Sequence, residues 1–160
     1  VPKSNTNMAR IEQQIEIAAR PSDVFRFCHD LDRRPEWDER VTRTNVLTPK
    51  PIRRGTVIRV DSRPPFGGPV FSWEAEFVEY HYPSSSRLEV VDAAPSSYFV
   101  GGSEAWRFVR SGGGTSVDFA WEYQPRGIVG RIADVVRRSR TRRAISQSLE
   151  NLKRTLEART

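Results

Sequence analysis

The sequence predicts an α+β fold: an antiparallel sheet of six or seven strands, two short helices after the first strand, and one long C-terminal helix. Three observations carry this prediction. Apolar and polar residues alternate with period two in runs spread between Arg10 and Gln124, the signature of strands with one hidden face. Breaks rich in proline and glycine separate those runs, at Thr48-Pro-Lys-Pro, at Pro64-Pro-Phe-Gly-Gly-Pro and at Ser111-Gly-Gly-Gly-Thr. From Ile128 to Arg159 the period changes to that of a helix.

Each element follows from its own residues. In RIEQQIEIAA (10–19), Ile11, Ile15 and Ile17 share one parity and Glu12, Gln14 and Glu16 the other, which predicts a strand. Ser22 is a candidate cap for a helix whose Val24, Phe27/Cys28 and Leu31 share a face. Residues 32–40 predict a second short helix, since Pro35 is tolerated in a first turn. Strands follow at 41–48 and 56–62, where adjacent Val57 and Ile58 face opposite ways, and at 70–82, where Phe71, Trp73, Ala75 and Phe77 oppose Ser72, Glu74 and Glu76 until Val78 and Tyr80 blur the rule. A short strand at 88–91 precedes a hairpin of 98–110 and 116–124, which carries Trp106 and Phe108 on one arm and Val117, Phe119, Trp121 and Tyr123 on the other. In the terminal helix, Ile128, Ile132 and Val135/Val136, then Ile145, Leu149, Leu152 and Leu156, read as one apolar stripe interrupted by Arg137-Arg-Ser-Arg-Thr-Arg-Arg143. Extended through the interruption, the stripe puts Arg138/Ser139 and Arg142 on the face expected to be covered.

With 160 residues, one domain over 9–159 is expected, preceded by a mobile N-terminal arm at 1–8. The net charge is +6, and residues 137–160 account for all of it, so the basicity belongs to one helix. No run of about 18 apolar residues could span a bilayer, no basic-then-apolar leader opens the chain, and a single cysteine cannot form an internal disulfide, so a reducing, cytoplasmic setting is expected.

The run IEIAARPSDVFRFCHDLDRRPEWDERV resembles the opening of the START/Bet v 1-like (SRPBCC) helix-grip superfamily: a strand ending in small residues, Pro-x-x-Val-[Phe/Trp] opening a helix, then an acidic residue and Pro-x-Trp. Pro21, Val24, Phe25, Asp30, Leu31, Pro35 and Trp37 fill those positions. The resemblance extends over nearly all of 9–157 and points to the polyketide cyclase/dehydrase-like branch. It implies a helix-grip fold, in which a curved sheet and the long helix enclose a cavity for a hydrophobic or amphipathic ligand, lipid or polyketide-like. The scaffold serves binders, carriers and enzymes alike.

On that reading the candidate ligand-binding residues are Trp37, Trp73, Phe77, Trp106, Phe108, Phe119, Trp121 and Tyr123, with Val129, Ile132 and Val136 from the helix. Strand aromatics of this kind also serve as plain core, and Trp37 is expected at the pocket rim, anchoring the second short helix. Three readings stand for the arginine run: a solvated overhang, a pocket contact in which Arg138 or Arg142 pairs with an anionic head group, or a weak contact with anionic lipid. No recognition motif accompanies it, so nucleic acid is not expected.

Candidate chemistry is sparse. Cys28 sits on an apolar helix face and reads as an inert core thiol. His29 and His81 are the only histidines, and no Cys/His/carboxylate cluster has metal-ligand spacing; neither metal nor cofactor is expected. Gly101-Gly-Ser-Glu-Ala is not a nucleophile elbow. Catalysis, if present, would be aldol-type cyclisation or dehydration of a bound carbonyl compound, with Tyr98, Tyr123, Glu79, Arg107 and His81 as the polar candidates. Three functions are therefore in play: a carrier or binder, a cyclase, and a protein-interaction module with a filled core.

Overall fold

The computed structural model describes residues 8–159, and the expected N-terminal arm, apart from Met8, lies outside them. Seven strands form one antiparallel sheet in the order β1-β7-β6-β5-β4-β3-β2: β1 Ala9–Ile17, β2 Val41–Val46, β3 Val57–Ser62, β4 Phe71–His81, β5 Ser85–Ala93, β6 Phe99–Ser111 and β7 Gly114–Pro125. Between β1 and β2 lie α1 (Pro21–Cys28), one 3-10 turn (Leu31–Arg33) and α2 (Arg34–Trp37); α3 (Gly127–Glu157) closes the chain. The fold is the helix-grip α+β arrangement.

Alternation places the strands as read. Ile11, Ile17, Ile58, Val60, Phe71, Trp73, Ala75, Phe77, Val117, Phe119 and Trp121 all face the interior. The blurring after Phe77 is a register shift between Phe77 and Glu79, where β4 and β5 fall out of step. A second irregularity, between Phe99 and Gly101, switches the inward parity of β6, so that Phe99 and then Glu104, Trp106 and Phe108 all point inside. Gly102 permits this, because a Cβ there would lie 2.3 Å from the Glu122 carbonyl oxygen.

Three local expectations are corrected. The N-cap of α1 is Arg20, with no side-chain cap bond, and Ser22 lies within the helix; Pro21 at the first turn supplies the start. β5 runs for nine residues and not four, because its polar first half, Ser85-Ser86-Arg87, still pairs with β6. The single stripe on α3 does not exist. Ile145, Leu149, Leu152 and Leu156 are buried, but Ile128, Val129, Ile132, Val135 and Val136 are 67–82% exposed. Ile132 and Ile145 are thirteen residues apart, about 3.6 turns, so the two apolar groups occupy nearly opposite sides of one helix.

The C-terminal half of α3 is fixed to both sides of the sheet's opening. Lys153 Nζ donates to the Glu16 carbonyl (2.6 Å), Glu157 accepts from the Ala18 N–H (3.0 Å), and Asn151 donates to the Trp37 carbonyl (3.1 Å).

Candidate functional site

Two kinds of filling meet in the space between sheet and helices. Toward α1 it is solid aromatic core: Phe25 stacks on His29 and meets Phe108 edge-on, His29 meets Phe77, and Trp106 packs against Phe108, Phe119 and Trp37. Burial lowers the His29 imidazole to about 4, against a smaller opposing effect of its bond to Phe25. The ring is held neutral, its Nδ1 2.7 Å from the Phe25 carbonyl and its Nε2 2.7 Å from Ser86 Oγ. Nδ1 must therefore be the donor. Burial pushes the Cys28 thiol well up, which makes it inert.

Under the middle of α3 the filling changes to a buried ionic quartet of Arg34, Asp38, Arg40 and Glu104. Arg34 donates to Asp38 (3.0 Å) and, through both terminal nitrogens, to the Glu104 carboxylate. Arg40 donates to both oxygens of Asp38 (3.1 and 3.0 Å) and approaches Glu104 at 3.4 Å. Two charges of each sign cancel, as a buried cluster requires. Burial alone would raise the Asp38 carboxyl, but Arg40 and Arg34 outweigh it and hold it well below the usual carboxylate range. Ser148 of α3 closes the cluster from above, 3.3 Å from Asp38 and accepting from the Glu39 N–H at 3.0 Å.

Beside the quartet lies a small void of about 20 Å³, lined by Arg34, Arg40, Val41, Ser62, Trp73, Tyr98, Glu104 and Trp121, among others. It is large enough for about one water, far below the roughly 300 Å³ at which ligand pockets begin. The expected open cavity is thus closed in this structure, because the rings interlock: Trp73 on Phe99 and Trp121, Tyr98 on Phe71, Phe99 and Tyr123. Three buried polar side-chain atoms among the described residues lack hydrogen-bond partners: the indole nitrogens of Trp37 and Trp121 and the hydroxyl of Thr141; of the three, Trp121 lines the void. Trp121 Nε1 lies beside the Tyr98 hydroxyl but outside hydrogen-bonding geometry. Burial raises that phenol to about 12, with Arg40 acting against it.

A cover lies over this end. Tyr123 donates to Asp134 of α3 (2.5 Å), and Asp134 also accepts twice from Arg138 (3.0 and 2.8 Å). Arg126, at the helix start, donates to the carbonyls of Ala94, Ser97 and Phe99. From the β3–β4 connection, Phe66 packs on Tyr98 and receives the Arg137 guanidinium over its ring at 4.3 Å.

The structure brings together Trp73, Trp121 and Tyr98 around the void, with Tyr123 beside them, and buries Phe77, Trp106, Phe108 and Phe119 on the same face of the sheet, with Trp37 of α2 packed on Trp106. Trp37 is 2% exposed, so it is interior and not rim. Val129, Ile132 and Val136 point to solvent, away from the sheet, and Arg142 is exposed in a shallow surface groove with Ser139 and Glu150. Arg138 faces the cover's inner side but is occupied by Asp134. Glu79 and Arg107 line an open trough on the sheet's outer face, and His81 is exposed at the end of β4, so neither carboxylate, guanidinium nor imidazole reaches the interior. The ionic quartet is a feature that the sequence pattern does not announce. Among the described residues no group of three or more His, Cys, Asp or Glu is placed to hold a metal, and no helix is long and apolar enough to cross a membrane.

Residues 8–157 match the family described as polyketide cyclase/dehydrase and lipid transport. The chain belongs to that family. Solved structures with the same fold include an aromatase/cyclase and a major latex-like protein. The protein TTHA0849 from Thermus thermophilus superposes with a TM-score of 0.79 at 19% identity, covering 95% of this chain and 99% of its own. The Zhui aromatase/cyclase from Streptomyces sp. R1128 gives 0.72 at 13% identity, covering 93% and 96%. Ginseng major latex-like protein 151 from Panax ginseng gives 0.64 at 14% identity, covering 96% and 97%. No curated protein matches the chain. At these identities the likeness is one of fold.

Proposed function

We propose that the chain binds an amphipathic small molecule, lipid or polyketide-like, between the concave sheet face and the N-terminal half of α3, and that this half, with the Phe66 loop, moves aside to admit it. The observation that carries the reading is the unpartnered buried Trp121 Nε1 at the void beside the ionic cluster, with Trp37 Nε1 and Thr141 Oγ1 likewise buried and unpartnered. Buried donors without acceptors are rare and costly, and an indole N–H at the void selects a guest with carbonyl, hydroxyl or carboxylate oxygens. Membership of a family that includes lipid transport supports the same reading.

Binding is favoured over cyclase chemistry because, among the described residues, no free base lines the void. Asp38 and Glu104 are each committed to two arginines, and Asp38 is held too acidic to take a proton near neutrality. Tyr98 is available as a proton donor only. One observation favours a second reading, an interaction module with a filled core: the void holds no more than a water.

Titration with matched ten-carbon probes (decane, 2-decanone and decanoate), read by calorimetry and by amide exchange across 127–143, separates these readings. The ketone or the acid binds and loosens or reorders 127–143, the hydrocarbon does not, and Trp121→Phe weakens the ketone about fivefold, the worth of one hydrogen bond. If no probe binds, and native mass spectrometry of gently extracted protein shows only the bare chain, the filled-core reading replaces this one.

A further inference from the structure

Of the eleven exposed large hydrophobic residues among the described ones, five lie on the outward side of α3's first half. Ile128, Val129, Ile132, Val135 and Val136 fall within an arc of about 120° at 100° per residue, and every one of them is more than two-thirds exposed. Such a contiguous aliphatic face normally meets a partner. The opposite side of the same segment carries Asp134 and Thr141, which are buried, so the helix cannot roll to hide its aliphatic residues without putting the carboxylate into water and breaking the Tyr123 bond.

The charges around the face identify the partner. Residues 126–143 hold seven arginines and one acidic residue, Asp134, and that one is turned inward and bound to Tyr123 and Arg138. On the helical projection Arg131 and Arg142 flank the aliphatic arc on one side, Arg140 flanks it on the other, and Arg143 continues it beyond Val136. A second copy docking on this face would bring arginine against arginine. A nucleic acid would answer the charge and leave the aliphatic side chains wet. A surface with phosphates outside and hydrocarbon immediately beneath answers both.

We propose that the outward face of residues 128–143 docks on an anionic lipid bilayer, with the aliphatic side chains at the boundary between headgroups and acyl chains and the arginines on lipid phosphates. The proposal uses none of the interior residues and holds whether or not the interior admits a ligand.

Co-sedimentation with phosphatidylcholine vesicles, with and without about one-third phosphatidylglycerol, across a salt series, tests it. Two triple variants complete the experiment: Val129→Ser/Ile132→Ser/Val136→Ser and Arg140→Gln/Arg142→Gln/Arg143→Gln. All six side chains are exposed, and unchanged circular dichroism and thermal midpoints verify that both variants fold. The unaltered chain binds the anionic vesicles and not the neutral ones, and salt weakens the binding. The serine variant binds at least about tenfold more weakly; the glutamine variant binds about a hundredfold more weakly and with a shallower salt dependence. Absence of binding to anionic vesicles overturns the proposal. So does a serine variant that binds as tightly as the unaltered chain, since adhesion is then charge alone. A concentration-dependent dimer in sedimentation equilibrium that the serine substitutions abolish assigns the face to a second copy instead.

Discussion

The C-terminal half of α3 hides its aliphatic residues and the N-terminal half displays them, although one unbroken helix carries both. Over Ile145–Leu156 the inward face is Ile145, Leu149, Leu152 and Leu156 against the aromatic end of the core. Over Gly127–Thr141 the inward face is Asp134, Arg138 and Thr141, set above Tyr123 and the polar end. The halves are held by different forces: apolar burial, at about 25 cal/mol per Å², in one, and a few directional bonds in the other. Buried aliphatic packing resists local opening, and a layer of polar links with exposed flanks yields first. The two ends of one helix thus supply an anchor and a cover.

The sharpest way to break the contrast is at the boundary between the two fillings. Glu104→Leu leaves Arg34 buried with only Asp38 to meet it and costs about 3–5 kcal/mol, read by urea denaturation at pH 7. A loss below about 1 kcal/mol would mean that the quartet is already hydrated and the polar end open. Within the anchor, Leu152→Ala, at a fully buried position, costs about 2–5 kcal/mol by the same measurement.

The aromatic end also has a pH signature. His29 has a folded value of about 4, below its ordinary 6.5, so on acidification the unfolded chain takes the proton first. Its contribution is whole above pH 6.5, declines through the window and is gone by about pH 4, a loss of up to roughly 3 kcal/mol. Denaturation midpoints between pH 7 and 4 should follow that slope, and His29→Gln should flatten it. Asp38 acts lower: its folded value is depressed, so its contribution is lost only as the pH falls below the ordinary carboxylate range.

In the cover, Asp134→Ala removes the acceptor of both Tyr123 and Arg138. Global stability falls by about 1–2 kcal/mol, and amide exchange quickens across 127–141 while 145–156 stays protected. Uniform acceleration along α3 would abolish the distinction between the halves. The smallest effect belongs to the displayed face: Val136→Ala shifts the thermal midpoint within the error of an exposed substitution, about 0.5 kcal/mol at most.

Much of this was readable from residues alone. Period-two alternation located the strands, and the shared face of Val24 and Phe27/Cys28 and the place of Pro35 located α1 and α2, because strand pleat and helical turn impose those spacings directly; the Pro-x-x-Val-Phe and Pro-x-Trp positions carried the family resemblance. The phase of α3 is also legible, since the offset of thirteen residues between Ile132 and Ile145 puts the two aliphatic clusters on opposed sides and not on one stripe. Glu104 carried a signal too, since it shares the parity of inward Trp106 and Phe108 within one strand. Arg34 and Asp38 stand four apart on α2, the spacing of a helical ion pair. Their burial was not readable, because it depends on Arg40 and Glu104 meeting them across the sheet. The closure of the void was equally hidden, being set by how the rings settle against one another.

All four tryptophans of the chain, Trp37, Trp73, Trp106 and Trp121, lie inside the sheet–helix interior at 2–6% exposure, and none is on the surface. The molecule therefore carries a built-in optical reporter: its emission comes wholly from the compartment that a guest or a lifted helix would disturb. A shift of that emission toward the red, recorded without any label, would time the admission of solvent.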